Sequence, residues 1–304
     1  MTQAKKSTNT GPLLIIAAPG LVYLLINNYI PMLGIIIAFK NVDFGKGILN
    51  SDWCGLKNFE FLFKTNDAYI MIRNTLLYNL VFIILGTVCA IMIAILMYEV
   101  VTSFCSKVFQ AGLILPSLIS MVVVSYIVYA FLNTETGFIN TSILKPLGVE
   151  PINWYAEAKY WPFILVIVQI WKTAGYSSII YIAAIAGIDP SIYEAARIDG
   201  AGKVRQIFCI TLPQLKPTVV IMVLLAIGHI FSSDFGLFYQ VPMNSGSIYN
   251  ATQTIDTYVY RALMQLGDIG MSSAAGVFQS IVGFVLVLGA NYFVRRVDPD
   301  SALF

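Results

Sequence analysis

Six long apolar stretches constrain this chain more than any other feature of its sequence. A helical membrane span needs about 20 mostly apolar residues, and each stretch is long enough. Only 11% of the 304 residues are charged, whereas about a quarter of all residues are charged in a typical soluble domain. The stretches lack the alternating pattern of a membrane barrel, and backbone groups in lipid must be bonded internally. The sequence therefore predicts an all-α membrane protein with six transmembrane helices.

The six stretches take up most of the chain, and residues 1–304 are interpreted as one transmembrane domain. Pro19 and Pro31 in the first stretch and Pro116 in the third predict kinks, which neighbouring helices tolerate within a bundle. The predicted spans are Leu13–Phe39, Asn74–Tyr98, Val108–Leu132, Trp161–Ile188, Thr218–Val241 and Ala274–Val294.

Several classes of function are disfavoured by the composition. The net charge of +2 comes without a basic patch, so nucleic acid is not an expected partner. Membrane lipid is an expected partner because of the apolar spans. The four cysteines show no CxxC spacing and there is a single histidine, which argues against a Cys/His metal site. The sequence has no GxxxxGK(S/T) segment for ATP. It also has no HExxH motif, paired intramembrane aspartates or Ser/His/Asp set that would indicate a membrane-embedded enzyme.

A polar segment, 189–217, separates the fourth and fifth predicted spans. Ser191 predicts the start of a short helix, which Gly200 interrupts. A second helix is expected from Lys203, with Pro213 closing the unit. The sequence thus predicts two short helices that are joined at a glycine elbow and lie outside the bilayer.

Two interpretations of this segment are open from its residues alone. Ala195 and Ala196 permit close backbone approach to a groove on another protein. Glu194, Arg197 and Asp199 would then provide charges that fix the register of the contact. The alternative is an ordinary amphipathic loop at the membrane surface.

The same segment carries a longer pattern. From Glu194 it reads EAARIDGAGKVRQIFCITLP, which meets the spacing EAA-x3-G-x9-I-x-L-P without a departure. This resembles the EAA motif of permease subunits of ABC importers, and it precedes the last two spans as it does in that family. Trp53–Phe59, Asp199–Ala201 and Ile255–Arg261 are similar to the carbohydrate branch, in particular to the subgroup associated with oligosaccharide and polysaccharide-fragment uptake. The similarity covers essentially residues 12–297.

That resemblance implies the type I ABC importer permease fold, with cytoplasmic coupling helices, in the plasma membrane of a bacterium. It implies as partners a second homologous permease subunit, two cytoplasmic ABC ATPase subunits, an extracellular solute-binding protein and an oligosaccharide substrate. ATP and Mg²⁺ would bind to the ATPase, so this chain is expected to hold no cofactor and to catalyse no reaction itself. The family also has the EAA loop and both termini in the cytoplasm, whereas a count of basic residues, nine against eight, leaves the orientation open.

By the same resemblance, segment 189–217 is a coupling loop that docks on the ATPase. Glu194 is expected to make charged or hydrogen-bonding contacts with the ATPase groove, Gly200 to supply the elbow and Pro213 to fix the return into the fifth span. The residues expected to couple the ATPase are Glu194, Ala195, Ala196, Arg197, Asp199, Gly200, Leu212 and Pro213.

Polar side chains inside the fourth and fifth spans mark a candidate substrate pathway, since such groups are costly in lipid and usually face a cavity or a partner. Helical residues three and four apart share a face, which groups His229 with Ser232 and Ser233. Four residues of the fourth span form a stripe by the same spacing, and Trp171 beside it would offer a flat ring to a sugar. The candidate pathway residues are Gln169, Lys172, Thr173, Tyr176, His229, Ser232, Ser233 and Asp234.

Structural roles for these residues remain open. His229 is either part of the pathway or a packed core residue, and Lys172 and Asp234 either face the pathway or form an interhelical ion pair. In the outer loop, Asp256 and Arg261 either hold the loop together or contact the binding protein. An importer of a non-sugar solute and a secondary transporter driven by an ion gradient are the alternative functions. Dependence of uptake on ATP separates the second of these from an ABC importer.

Overall fold

The computed structural model describes residues 10–99 and 103–297, and these residues are almost entirely helical. The predicted cytoplasmic termini, at residues 1–9 and 298–304, lie outside the described residues. The α-helices are α1 (Thr10–Leu24), α2 (Ile30–Met32), α3 (Phe61–Lys64), α4 (Asn66–Glu99), α5 (Ser103–Leu118), α6 (Met121–Leu132), α7 (Trp161–Ala186), α8 (Pro190–Ile198), α9 (Lys203–Gln206), α10 (Leu212–Ile227), α11 (Tyr249–Thr252), α12 (Ile255–Leu266) and α13 (Ile269–Val297).

Shorter helical turns and one small hairpin connect these helices. The π-helical segments are Leu25–Tyr29, Ile139–Leu144, Ile207–Thr211 and Gly236–Gln240. The 3-10 segments are Leu33–Phe39, Lys57–Phe59, Ala158–Tyr160 and Gly246–Ile248. Two strands, β1 (Lys40–Asn41) and β2 (Asp52–Trp53), pair antiparallel in a hairpin just after the first helical run.

Within the described residues, five helical runs are long and apolar enough to cross a membrane, and a bent pair of helices provides a sixth crossing if it is one span. This confirms the all-α membrane fold. The five runs are Leu14–Phe39, Asp67–Glu99, Ala158–Ala186, Lys203–Ile227 and Ile269–Arg296. Four of them coincide with the predicted first, second, fourth and sixth spans.

The predicted third span, 108–132, is not one kinked helix. Its two halves, Val108–Leu118 and Met121–Leu132, meet at an angle of 93°. Ser120 has extended backbone, and its hydroxyl accepts a hydrogen bond from Val123 N at the start of α6. The prediction of a kink at Pro116 was therefore wrong, because a serine cap after the proline starts a new helix in a new direction.

The predicted fifth span, 218–241, is wrong at both ends. The helical run already begins at Lys203, because the π-helical turn Ile207–Thr211 joins α9 to α10. Pro213 lies in the first turn of α10, where a missing N–H is tolerated, so it does not close a separate unit. At the other end α10 stops at Ile227, and residues 228–234, here called the central break, are not helical.

Close packing of α4 against α7 forms the centre of the bundle. Toward the end of α4 at Glu99, Ala90 and Ala94 are fully buried in a cluster with Tyr181, Ile185 and Leu215. Small residues at such contacts let membrane helices approach closely. At the opposite end of the bundle, α12 packs on the first turns of α4 and α13.

The first helical run packs on the rest of the chain only through its last part. Leu33–Phe39 contacts α13, and Ala38 is fully buried there. The preceding residues from Leu14 onward are exposed, with Ile16 78% exposed. The chain thus leaves most of one membrane-length helix without packing partners among its described residues.

Candidate functional site

The segment 189–217, here called the coupling loop, begins with a well-capped helix. The Asp189 carboxylate accepts a hydrogen bond of 2.9 Å from Ser191 N, and this bond holds the pKa of Asp189 below its ordinary value. At the other end of α8, Gly200 has a φ of +77°. Gly200 N bonds to the Arg197 carbonyl and Ala201 N to the Ala196 carbonyl, which completes a left-handed helix stop that favours glycine. The structure therefore contains the elbow that the sequence predicts at Gly200.

Three contacts attach this elbow to the bundle. The Tyr193 hydroxyl lies 2.9 Å from the Thr211 hydroxyl in a buried position. Gln206 is buried and donates to the Ala201 carbonyl at 2.7 Å. An ion pair joins Lys203 to Glu99 at the end of α4. The elbow region is therefore attached to α4 through Lys203 of α9 and to the helical run that contains α10 through Tyr193 of α8.

The outer surface of the coupling loop is exposed. Glu194, Arg197 and Asp199 are exposed, and their side chains make no hydrogen bond or ion pair with other described residues. The other predicted coupling residues are partly or fully exposed: Ala195, Ala196, Leu212 and Pro213.

Sequence reasoning missed three apolar side chains on this surface. Ile198 is 87% exposed, Val204 68% and Phe208 65%. The signal was present, because these are large apolar residues in an otherwise polar segment. Exposed apolar side chains in the same segment as exposed charges are a composition that protein-binding surfaces have.

The central break uses polar side chains from three other helices. The Asn79 amide of α4 donates to the carbonyls of Ile230 and Ser232, at 2.9 and 2.8 Å. Gln279 of α13 donates to the Phe231 carbonyl at 2.7 Å. Broken helices leave such carbonyls unbonded, and irregular backbone at membrane depth needs partners of this kind.

Ser233 and Asp256 tie the central break to α12. The Asp256 carboxylate accepts hydrogen bonds from Ser233 N at 2.7 Å and from the Ser233 hydroxyl at 2.8 Å. Asp256 thus holds the outer segment in place, which was one of the two roles left open for it. Asp234 accepts from Leu237 N and caps the start of Gly236–Gln240.

The predicted common face of His229, Ser232 and Ser233 was wrong. Helical spacing has no meaning across the central break, since its backbone is not helical. His229 is exposed on this chain and is therefore not a core residue within it. Ser232 and Ser233 are half-buried and bonded to the surrounding helices.

The predicted stripe on α7 divides into two roles. Lys172 donates to the carbonyls of Pro116 and Ser117, both at 3.4 Å, and more closely to that of Ile119. It therefore caps the end of α5 at the 93° bend, where a cation also complements the helix dipole. Lys172 and Asp234 each bond to backbone groups, so the proposed interhelical ion pair between them is not formed.

The remaining residues of the stripe differ in their surroundings. The Thr173 hydroxyl donates to the Gln169 carbonyl of its own helix at 2.8 Å. Gln169 Oε1 is buried and has no hydrogen-bond partner among the described residues. Tyr176 and Trp171 are 61% and 45% exposed. The exposed rings therefore offer apolar surface to a solute, whereas the Gln169 amide oxygen is unpaired but not exposed.

Comparison with known proteins identifies the family of this chain. Residues 83–299 match the family model described as the inner membrane component of binding-protein-dependent transport systems. This chain belongs to that family. It is an inner-membrane permease subunit of an ABC transport system, built from several membrane-crossing helices.

Curated relatives of the permease come from Bacillus subtilis (strain 168). The polygalacturonan/rhamnogalacturonan transport system permease protein YteP is 35% identical over 283 residues, which cover 93% of this chain and 87% of YteP. Protein LplB is 33% identical over 290 residues, which cover 95% of this chain and 90% of LplB.

A solved structure has the same fold as the permease. A chain of a bacterial ABC transporter involved in the import of the acidic polysaccharide alginate superposes with a TM-score of 0.85 and 31% identity. The match covers 95% of this chain and 96% of that one. A second structure of the alginate transporter contains an alginate pentasaccharide-bound periplasmic protein.

Proposed function

We propose that this permease takes up an oligosaccharide or polysaccharide fragment that an extracellular solute-binding protein delivers. ATP is hydrolysed, with Mg²⁺, on two separate cytoplasmic ATPase subunits, and this chain carries out no hydrolysis itself. The relatives named for polygalacturonan and alginate transport support the substrate class. The exposed coupling loop, with its exposed apolar side chains and its charges without partners among the described residues, is the observation that supports the mechanism.

The coupling loop transmits the motion in this proposal. Closure of the ATPase dimer around ATP displaces α8, which the contacts of Tyr193 and Lys203 link to the membrane helices. The bundle then shifts as a rigid body between inward-open and outward-open states, because ATP binds one state better than the other. Glu194, Arg197 and Asp199 would contact the ATPase by charge, and Ile198 would enter an apolar part of its groove.

A second homologous permease completes the membrane part of the assembly. The unpacked length of the first helical run supports this proposal, because it offers a long apolar surface to a partner helix. We also propose that the single domain has both termini in the cytoplasm. The resemblance of segment 189–217 to the EAA loop of ABC importer permeases, which is cytoplasmic in that family, supports this orientation.

The substrate path in this proposal runs along the exposed side of α7 and the central break. Tyr176 and His229, which are exposed, would face the sugar, with Trp171 as an aromatic surface. The buried Gln169 Oε1 would become accessible to the sugar only when the bundle shifts. The side-chain bonds of Lys172 and Ser233 support a positioning role for these two residues, whereas Ser232 takes part through its backbone carbonyl. Thr173 and Asp234 bond to backbone within this chain, so they would shape the path rather than bind the sugar.

Reconstitution of the complete assembly into liposomes tests the proposed function. With the binding protein outside and ATP inside, labelled oligosaccharide should accumulate, and removal of ATP should stop uptake while an ion gradient should not restore it. Uptake that follows an ion gradient without ATP would show a secondary transporter instead.

Gly200→Asp tests the coupling step in the same liposomes. An aspartate in a left-handed conformation costs only about 1 kcal/mol, so folding and membrane insertion should persist. The altered elbow should nevertheless abolish ATP-dependent uptake. Normal uptake by Gly200→Asp, at equal protein content, would contradict the coupling role.

A further inference from the structure

A cavity on the outer face has no role in the mechanism described so far. Its volume is about 360 Å³, near the lower end of the range of about 300–1,000 Å³ that is typical of small-molecule sites. It lies between the first turns of α4 and the segment α11–α12. Its walls combine aromatic rings, side-chain amides and one cation: Tyr249, Tyr258, Asn250, Gln253, Gln265 and Arg261.

Arg261 is the cation in this wall, and the Asp67 carboxylate of the same cavity offsets its charge only from beyond ion-pair distance. No acidic group among the described residues lies within ion-pair distance of it. Its side chain is half-buried, and burial lowers the pKa of the Arg261 guanidinium from its ordinary value. Guanidinium groups stay protonated in proteins, so the cavity holds a permanent positive charge that is partly withdrawn from water.

The Arg261 side chain is also held in one position. Its guanidinium lies over the Tyr249 ring, 4.1 Å from the centroid. It donates to Gln253 Oε1 at 2.7 Å and to Asn244 Oδ1 at 3.4 Å. Arginine has five N–H donors in a fork that matches a carboxylate, so these two bonds leave donors for a ligand. These contacts agree with the expectation that Arg261 holds the outer loop together, and they leave it partly free.

The other walls favour a sugar over a side chain of a protein. Amides such as Asn250 and Gln265 offer both donors and acceptors, which suit hydroxyl groups. The Tyr258 ring adds a flat apolar surface. A carboxylate on the binding protein would use the cation alone and would leave the amides to water, whereas a uronic acid unit uses the cation, the amides and the ring together.

We infer that this cavity is a binding site for the carboxylate-bearing sugar unit of an acidic oligosaccharide, separate from the path through the membrane. The inference rests on the proposed saccharide uptake and specifies its substrate class. Arg261 binds the sugar carboxylate, and the neighbouring amides and ring hold the same unit. Asp67 also lines the cavity, and its exposed carboxylate weakens the binding of an anion.

Two ligands with the same skeleton test the inference on the permease assembly in nanodiscs without the binding protein. Trigalacturonate carries carboxylates, and its methyl ester carries none. Saturation-transfer NMR and titration should show trigalacturonate binding about tenfold or more tightly than the ester, because charge-assisted hydrogen bonds are the strong ones. Equal affinity for the two ligands would overturn the inference.

Charge changes in the cavity should move the affinity in opposite directions. Arg261→Met should weaken trigalacturonate binding about tenfold or more, and Arg261→Lys should weaken it less. Asp67→Asn should strengthen it, a gain that misfolding cannot produce. Lys64→Met is the matched control, since Lys64 is an exposed cation near the outer end that pairs with Glu60. This variant should leave the affinity for trigalacturonate unchanged.

Two further outcomes separate this inference from the proposed function. In one outcome, no saccharide binds in nanodiscs and Arg261→Met weakens only the association of the binding protein. The guanidinium then binds a carboxylate of that protein, and the inference is wrong. If the assembly imports neutral oligosaccharides with ATP but Arg261→Met leaves trigalacturonate binding unchanged, only this inference fails. If no saccharide is imported with ATP, the proposed function fails.

Discussion

The coupling loop and the central break are both polar segments in an apolar chain, yet their side chains differ in whether they bond to other groups of the chain. In the coupling loop, Glu194 and Arg197 extend into solvent without partners among the described residues. At the central break, Ser233 and Asp234 bond to groups of this chain. The same residue types therefore belong to an external surface in one region and to internal support in the other.

The difference follows from the surroundings of the backbone. A helix that ends in water leaves carbonyls that water can bond, whereas a helix that ends at membrane depth must find donors within the protein. Asn79, Lys172 and Gln279 are those donors. A polar residue inside a predicted span is thus not evidence of substrate contact until the bonds of the nearest broken helix are known.

Gly175→Ala should have the largest effect, and it tests the membrane side of the comparison. A Cβ at this position would lie 2.0 Å from the Leu113 carbonyl oxygen of α5. Backbone atoms would have to move, and overpacking of this kind costs about 1–3 kcal/mol or more. We expect a large loss of folded protein in detergent, measured by size-exclusion chromatography. Gly112→Ala is the control, because nothing lies within 4 Å of its added Cβ. Equal yields of folded protein from Gly175→Ala and Gly112→Ala would show that α5 and α7 do not pack this closely.

Lys172→Met should have the next largest effect, on stability rather than on substrate affinity. The change leaves the carbonyls of Pro116, Ser117 and Ile119 without this donor, at about 1–3 kcal/mol for an unsatisfied buried group. The thermal unfolding midpoint of the purified permease should fall, and Lys172→Arg should recover part of it. An unchanged midpoint with a raised KM for saccharide would make Lys172 a substrate contact instead of a cap.

Tyr193→Phe should have the smallest effect, and it tests how firmly the coupling loop is attached. The change removes one hydrogen bond to Thr211, which is worth about 0.5–1.5 kcal/mol. Hydrogen exchange in 190–213 should become faster while the membrane helices stay protected. Thr211→Val should raise the exchange rate in the same segment. The double variant should raise it little further, since both changes remove the same hydrogen bond. Full additivity would show that the two hydroxyls act separately.

Much of the coupling loop could be predicted from sequence because its signals are local. The elbow depends on Gly200, as predicted. The predicted cap Ser191 was wrong, because the helix starts at Pro190 and the Asp189 carboxylate caps it by accepting from Ser191 N. The two breaks in the spans could not be predicted, since hydropathy measures composition and is insensitive to backbone direction. The donor that caps the bend in the third span, Lys172, lies 53 residues from Ile119, so no local pattern connects them.

The outer helix α12 shows a signal that was overlooked. Thr254 and Thr257 form a reciprocal cap at its start, and Gly267 has a φ of +66° at its end. Both are recognisable start and stop residues for a helix. The loop between the fifth and sixth spans therefore contained a predictable helix, which carries Arg261 and half of the outer cavity.

Photo-crosslinking from position 198 tests the central claim most directly. Ile198 is 87% exposed on the coupling loop, and a photoreactive residue there should not disturb the bundle. In the intact assembly, the account predicts an ATPase adduct whose yield changes between ATP-free and ATP-bound states. The same residue at Leu147, 71% exposed in the segment between the third and fourth spans, should give no ATPase adduct. Labelling of lipid alone from position 198 would contradict the account.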